Sequence, residues 1–336
     1  MDRELNIYSN SKIYVLCPAN NKTGGTELLH QLVFELNKMG RTAYIVYYFE
    51  GSSDNKNPTP TEFRKYIKNY KFLTDVLDIK ENVLVLPEVC IGKNRKFKNI
   101  QKCVWWLSVD NYEIMKGKLN RFKKYGVRSF IKHILLNDYF NDEDLKKIHM
   151  HLYQSYFAKE FLIKKGISER STKYLSDYIN DVYFERDSVS KSREDIVIYN
   201  PKKGFEYTRY LIKNAPEIKF IPIVNMSSVQ VRDLMSRAKI YIDFGNHPGK
   251  DRIPREAAIS GCCIITNKRG SARFHDDVPI EDKYKFDDSF ENIPYIISTI
   301  HECIKNYNVE IENFSKYRDF INKEKIYFKK CIKEIF

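Results

Sequence analysis

Residues 12–48 read KIYVLCPANNKTGGTELLHQLVFELNKMGRTAYIVYY. Lys12 to Pro18 is a short, β-branched and apolar run of the kind that forms a buried strand. It enters a polar, glycine-containing loop, Ala19 to Thr26. Next comes a helix in which Leu29, Leu32, Val33 and Leu36 share one face. Gly40 closes that helix, and Thr42 to Tyr48 reads as the next strand. Strand, loop, helix and strand in this order open a parallel, doubly wound α/β sheet.

Working outward, further strands are expected at Asn82 to Pro87, Lys102 to Ser108, Ser129 to Leu136 and His151 to Ser155, with helical text between them. Gly51 to Thr61 reads as a surface loop. After a helix at Ala158 to Lys165 the chain turns polar and charged from Ser168 to Glu194, which places an interdomain connection around 185–194. A second alternation follows: strand Asp195 to Tyr199, helix Tyr207 to Lys213, strand Lys219 to Val224, helix Val229 to Arg237 capped by Ser227 or Ser228, strand Lys239 to Phe244, helix Pro254 to Ser260 and strand Cys262 to Thr266. Phe314 to Phe336 carries apolar residues at helical spacing and predicts a long terminal helix packed on the body, the alternative being a helix lying on a membrane. The expectation is two Rossmann-like domains, 1–188 and 189–312, facing across a cleft, with a closing helix at 313–336.

Composition bounds the function. The 336 residues include 57 Lys plus Arg against 44 Asp plus Glu, a net charge of +13, with 43% hydrophobic and 14% aromatic residues. That apolar content excludes wholesale disorder, and the charge favours an acidic partner: nucleic acid, an anionic membrane face or a phosphorylated ligand. No run of about 18 apolar residues is present to span a membrane, and the acidic start does not read as a secretory signal. Cysteines at 17, 90, 103, 262, 263, 303 and 331 include no CxxC pair, so a zinc site or disulfide framework is not expected and reduced thiols in a cytosol are. Neither GxGxxG nor GxxxxGK[ST] occurs, which counts against ordinary NAD or FAD binding and against a P-loop.

Asp142-Glu143-Asp144 has the form of a DxD metal motif but directly precedes a helical run, where acidic residues cap a helix and answer its dipole. Gly24, Gly25 and Thr26 lie between the first strand and first helix, where glycine lets a ligand approach and free N–H groups receive an anion. A plain tight turn would look the same. Asn200-Pro201-Lys202-Lys203-Gly204 leaves the first strand of the second half, and an ammonium at the carboxyl end of such a strand suits a diphosphate. The richest segment, AKIYIDFGNHPGKDRIPREAAISGCCIITNKRGSARF from Ala238, ends a buried strand in a polar loop carrying His247, Lys250, Asp251 and Arg252. Glu256 then lies near a helix start, facing back into that loop. The next strand also leaves through a basic loop, with Arg269, Gly270 and Ser271. Two successive polar strand exits converging on one patch mark a nucleotide site in this architecture.

The order of these features resembles the glycosyltransferases of the GT-B fold, in particular the retaining, nucleotide-sugar-using enzymes of family-4 type (glycosyl transferases group 1) that build bacterial polysaccharides and glycolipids. The resemblance covers nearly the whole chain and runs through GGTELLHQLVFELNKMGRTAYIV, YQSYFAKEFLIKKGI, IVIYNPKKGFEYTRYLIKNAPEIKFIPI and the segment from Met226 to Ala272. It implies that Lys203 neutralises the donor diphosphate, that Glu256 holds the ribose as the second Glu of an E-x7-E pattern, and that Gly24 and Gly25 lie under the donor phosphates and acceptor. Arg269, Gly270 and Ser271 match the loop after the next strand. Two departures stand out: Pro248 occupies the place of the first Glu, and Asn200 stands near where an Arg commonly precedes the Lys-Gly pair, leaving Lys250 or Arg252 to supply that charge.

Transfer from a nucleotide sugar needs the diphosphate to leave while positive charge develops on the sugar, so cations and helix N-termini carry much of the catalysis and no metal or cofactor is expected. Lys203, Arg252 and Glu256 are the expected catalytic residues. Under retention the leaving phosphate accepts the acceptor's proton, as the resemblance implies; under inversion a first-domain base is needed, Asp110 being the first candidate. The expected partners are a nucleotide sugar such as a UDP- or GDP-sugar and a glycan or polyprenyl-linked acceptor of O-antigen or capsule type. A cytoplasmic location with peripheral contact to an anionic membrane is also expected. The alternatives are a nucleotide-sugar epimerase on the same fold and, on charge alone, a nucleic-acid-binding protein, which the absence of any recognition motif disfavours.

Overall fold

The parallel sheet starts where the sequence places it. In the computed structural model, which describes residues 4–49, 57–135, 139–185 and 193–336, β1 (Lys12–Pro18) pairs in parallel with β2 (Thr42–Tyr48), with α1 (Gly24–Lys38) as the crossover. Ile13, Val15, Leu16 and Cys17 are fully buried, as a strand covered on both faces requires. Each such side chain contributes about 1.5–3 kcal/mol by leaving water.

The chain forms two compact units, one of residues up to Asp177 together with Ile326–Phe336, the other Tyr178–Lys325. The first unit continues with β3 (Tyr70–Phe72), β4 (Val83–Pro87), β5 (Gln101–Trp106), α2 (Val109–Met115), α3 (Lys118–Leu135), β6 (Met150–Tyr153), α4 (Tyr156–Lys164) and β7 (Thr172–Tyr174). Its strands lie in the order β3-β2-β1-β4-β5-β6-β7, so the winding reverses between β1 and β4. Leu16, Val46, Leu84, Val104 and Trp106 belong to its core. Trp105 stacks on Phe328 of the C-terminal segment at 6.1 Å.

The second unit contains β8 (Glu194–Tyr199), α5 (Phe205–Asn214), β9 (Lys219–Pro222), α6 (Ser228–Arg237), β10 (Ala238–Asp243), α7 (Arg252–Ile259), β11 (Cys263–Asn267), β12 (Lys285–Phe286), α8 (Ile293–Lys305) and α9 (Tyr307–Glu310). α10 (Ser315–Ile335) begins in this unit. The strand order is β12-β11-β10-β8-β9, reversing between β8 and β10. In sheets of this kind ligands bind outside the carboxyl ends of the strands at such a reversal.

Several expectations are corrected. Ser129 to Leu135 belongs to α3, not to a strand, and residue 136 lies outside the described residues. The apolar residues Phe130, Ile131, Ile134 and Leu135 follow a four-residue repeat that a strand cannot place on one face. Gly126, at φ 75° and ψ −175°, breaks the helix before them. The division between units differs from the sequence boundaries at 188/189 and 312/313. Ile179 and Tyr183 already belong to the second core, and Ile326–Phe336 belongs to the first unit. The expected connection at 185–194 falls largely on residues 186–192, outside the described residues, as does most of the loop Gly51 to Thr61. Asp142 to Asp144 open a short 3-10 helix capped by Asn141. Asp144 pairs with Arg95 at 2.8 Å and Asp142 with Lys165 at 2.8 Å. Ser227 caps α6 through a capping box with Gln230.

At the reversal of the first sheet the exit of β4 carries Glu88, which is 3% exposed and accepts the Leu107 N–H at 3.0 Å. This clamps the β4 exit to the β5 exit. Burial pushes the carboxyl up to about 7, against the opposing pull of the Leu107 and Ser108 N–H groups. The folded chain therefore keeps a proton that the unfolded chain releases near 4.5, and stability falls as pH rises through that window. Glu88→Gln should remove this dependence and gain up to about 3 kcal/mol on wild type between pH 4 and pH 8 in denaturant titrations. Parallel curves for the two proteins would rule the raised carboxyl out.

Candidate functional site

The second unit brings three strand exits together. Leaving β8, Asn200 forms a tight turn: its side-chain carbonyl accepts the Lys202 N–H at 3.0 Å and its backbone carbonyl accepts the Lys203 N–H at 3.1 Å. Gly204 follows at φ 61° as the N-cap of α5. A Cβ there would lie 2.3 Å from the Phe244 carbonyl carbon and oxygen, so only glycine allows the β8 exit to rest on the β10 exit. Gly245 completes the approach from the other side, since a Cβ on it would lie 2.7 Å from Lys203 Cβ. The floor made by these two glycines sits at the sheet's reversal point, with the N-terminus of α5 opening beside it.

A chain of charges lies on that floor. Lys203 Nζ is 2.8 Å from Asp251 Oδ1, and Asp251 Oδ2 is 2.9 Å from His247 Nδ1. His247 Nε2 lies 3.1 Å from Thr266 Oγ1 and 3.7 Å from Asp243 Oδ1. Asp243 in turn accepts the Tyr241 hydroxyl at 2.9 Å and the Gly245 N–H at 3.0 Å. Burial alone would depress His247, but Asp243 and the hydrogen-bonded Asp251 outweigh it and hold the imidazole above its ordinary value. Asp251 is lowered: burial opposes ionisation, and His247 and Lys203 overcome it. With the imidazole protonated, two cations balance two carboxylates. The facing atoms of Asp243, His247 and Asp251 lie within 4.8 Å of one another, a spacing that a metal ion could use. Here the Lys203 ammonium meets Asp251, and the Tyr241 hydroxyl and the Gly245 N–H meet Asp243, so the four charged groups form a relay that ends on lysine.

The β11 exit closes over this relay. Gly270 stands at φ 52°, and a Cβ there would lie 1.9 Å from the His247 carbonyl oxygen. The Ser271 N–H donates to that carbonyl at 2.8 Å, and its hydroxyl donates to the Gly249 carbonyl at 2.6 Å. Asn267 Nδ2 donates to the Gly245 carbonyl at 2.8 Å. Gly270 and Ser271 therefore fasten the loops together, where the sequence had them touching ligand. Arg269 is more than half exposed at the rim, 3.1 Å from Asp288 Oδ1 and 3.4 Å from Asn246 Oδ1.

The remaining expected residues separate. Arg252 opens α7 with its Nε 3.8 Å from Glu256 Oε1, and both side chains are largely covered. Lys250 is 4% exposed and turns away from the relay to Glu324 Oε1 at 2.8 Å, its ammonium also lying 4.6 Å from the Phe320 ring centre. Arg255, fully buried, reaches Glu324 Oε2 at 2.8 Å. Lys250 is thus part of the support under the loop, a correction to its expected phosphate role.

In the first unit Thr23 caps α1 and Thr26 completes its capping box, donating to the Asn21 carbonyl at 2.9 Å and accepting the Thr23 N–H at 2.9 Å. The Thr26 hydroxyl is committed to that cap, a second correction. Gly24 and Gly25 occupy the first turn, and a Cβ on Gly25 would meet Leu107 Cδ1 at an ordinary 3.6 Å. Asp110 lies in the first turn of α2 beside its cap Ser108, where a carboxylate answers the helix dipole. The sequence reading missed Asp243, Gly245, Asn267 and Glu324. Asp243 and Gly245 end a strand expected to be buried, which was a usable signal; Glu324 lies far along the chain and had none.

No protein-family model and no curated sequence matches this chain. Solved structures do match its fold from end to end. TarM aligns at a TM-score of 0.64 with 12% identity over 97% of this chain and 98% of that one. Anabaena HepE in complex with UDP and glucose aligns at 0.62 with 11% identity over 97% and 99%. The pneumococcal O-GlcNAc transferase GtfA in complex with UDP and GlcNAc aligns at 0.60 with 10% identity over 98% and 99%. The chain has the GT-B fold. Within that fold the relay occupies the carboxyl-end loops of the second Rossmann-like unit.

Two substitutions test this construction. Gly204→Ala forces a positive φ on an L-residue and a backbone collision that no rotamer relieves, so thermal and denaturant melts should show a loss of more than about 2 kcal/mol. Glu324→Gln leaves two buried cations facing a neutral amide and should cost about 3 kcal/mol or more. A Glu324→Gln protein as stable as wild type would show that Lys250 and Arg255 do not depend on that carboxylate.

Proposed function

We propose that this chain is a glycosyltransferase that moves a sugar from a nucleotide-sugar donor to a glycan or polyprenyl-linked acceptor, with retention of configuration, in the synthesis of surface polysaccharide of O-antigen or capsule type. The observation that carries the reading is the placement of Lys203: an ammonium fixed at the reversal point of a parallel sheet, beside the N-terminus of α5, on a floor that only glycine permits. Such a position receives a diphosphate through both a point charge and free backbone N–H groups. The likeness of fold to HepE and GtfA, each solved with UDP, supports a UDP-sugar as the first donor to try.

In this reading Lys203 leaves its carboxylate partner for the departing diphosphate, and Asp251 remains neutralised by His247. Arg252 adds a second cation near the leaving group, and Glu256 holds the donor ribose. Arg269 stands at the rim of the same loops. Charge on the leaving group is then met without a metal, and the diphosphate itself can take the acceptor's proton. Transfer of a hexose is the expected chemistry, and a peripheral position on an anionic membrane would bring the enzyme to a lipid-linked acceptor.

The test is a thermal-shift screen with UDP, GDP and their sugars, followed by turnover. A nucleotide at 100 times its Kd should add about 2.7 kcal/mol to stability. Lys203→Ala should lower turnover on the order of 100-fold or more, and Glu256→Ala should chiefly weaken donor binding. Near-normal turnover in a folded Lys203→Ala protein would remove Lys203 from the reaction, and no shift with any nucleotide would overturn the reading.

A further inference from the structure

α1 ends at the opposite pole of the first unit from the Gly24-Gly25 loop, about 20 Å away along a helix of 15 residues. A groove of about 610 Å³ opens there, between the C-terminal turn of α1, the start of β2 and the stretch 65–69. Its lining contains Lys38, Arg41, Lys65 and Lys68 and not one acidic residue. Among the described residues none of these four cations pairs with a carboxylate, although the chain elsewhere answers its lysines and arginines with many ion pairs. The groove wall is rigid: Asn37 Nδ2 donates to the Ala43 carbonyl at 3.0 Å, and Asn37 Oδ1 accepts the Ala43 N–H at 3.1 Å.

Three aromatic rings line the groove, and each carries an ammonium near its centre: Lys38 at 4.5 Å from Phe34, Lys65 at 5.0 Å from Tyr66 and Lys71 at 5.6 Å from Tyr44. Each such contact is worth about 0.5–1 kcal/mol at an exposed site, enough to bias a flexible lysine toward one direction. Lys38 and Lys65, two of the four groove cations, are thereby partly ordered before any ligand arrives. Occupied ring faces are poor platforms for stacking bases, which disfavours single-stranded nucleic acid. A concave wall without an exposed apolar wedge does not fit against a planar bilayer. The amides of Asn37 and Asn69 and the hydroxyl of Thr42 add neutral hydrogen-bonding groups of the kind that meet sugar hydroxyls.

We propose that this groove is a second binding site, taking an anionic oligosaccharide whose carboxylate or phosphate groups face Lys38, Arg41, Lys65 and Lys68. Its volume falls in the range of pockets that hold small ligands, enough for a few sugar rings. The site does not rest on the donor reading, since it lies at the other pole of the first unit and shares no residue with the relay.

The test measures binding of hexagalacturonate to the full chain by calorimetry, with maltohexaose as the uncharged control, a six-nucleotide dT strand and vesicles of phosphatidylcholine with phosphatidylglycerol as alternative anions. Hexagalacturonate should bind, weaken as salt is raised, and exceed maltohexaose at least tenfold. Replacing Lys38, Arg41, Lys65 and Lys68 together by Ser should reduce that affinity at least tenfold, while replacing the exposed Lys80, Lys96, Lys98 and Lys173 by Ser, or Lys203→Ala, should leave it within twofold. Equal losses in the two quadruple variants would reduce the effect to net charge and overturn the site. So would binding of the dT strand or the vesicles in preference to hexagalacturonate, or no hexagalacturonate binding by the folded wild-type chain, whether or not it responds to nucleotides.

Discussion

The backbone of Gly204 lies against the carbonyl of Phe244 at a distance that leaves no room for a side-chain carbon. From this one approach the rest of the second unit's site follows. It sets the β8 exit on the β10 exit, brings Lys203 to Asp251, and leaves the N-terminus of α5 open at the point where the sheet reverses. Gly245 and Gly270 repeat the same device on neighbouring loops, so three strand exits meet through backbone, with few large side chains between them. A surface built in this way presents N–H groups and short polar side chains, which suits a ligand dominated by phosphate oxygens.

Electrostatics then decides what each basic residue does. Lys203 is about one-third exposed and its partner Asp251 is shared with His247, so the ammonium is positioned without being locked away. Lys250, three residues from His247, is almost wholly covered and bound to the same carboxylate as Arg255. Its ammonium would need to break a buried pair to reach solvent, which costs several kcal/mol. Two lysines of similar promise in the sequence thus acquire opposite duties: one stands partly exposed and paired at the strand exits, the other ties the site's loop to α10.

The net charge of +13 divides along the same lines. Much of the gross positive charge, 57 lysines and arginines, is answered by carboxylates in surface pairs that contribute little each. A smaller part, in Lys203, Arg252 and Arg269, surrounds the strand exits of the second unit. Another part, in the groove at the amino end of β2, has no acidic answer among the described residues, and two of its four cations, Lys38 and Lys65, lie against aromatic rings. An overall charge is a poor guide to partners because it sums groups whose local surroundings differ so much.

How much was legible varies with the range of the interaction. The alternation of apolar strands with one-sided helices, the Gly-Gly loop and the Lys-Gly and Arg-Gly-Ser exits were all readable, because strand and helix periods are written in neighbouring residues. Ser129 to Leu135 was misjudged because a short apolar run satisfies both periods until its packing is known. The roles of Lys250, Gly270 and Ser271 could not be read at all. Each depends on a partner that the linear text does not name: Glu324 for Lys250, and the His247 and Gly249 carbonyls for the loop after β11. Thr26 was a local signal left unused, since its capping partner Thr23 stands only three residues earlier. Local sequence therefore determined the doubly wound sheets and the positions of the candidate loops. Which side chains in those loops stay open to solvent, and which are spent on holding the loops, was decided by contacts between segments up to 74 residues apart, where burial and charge pairing outweigh local preference.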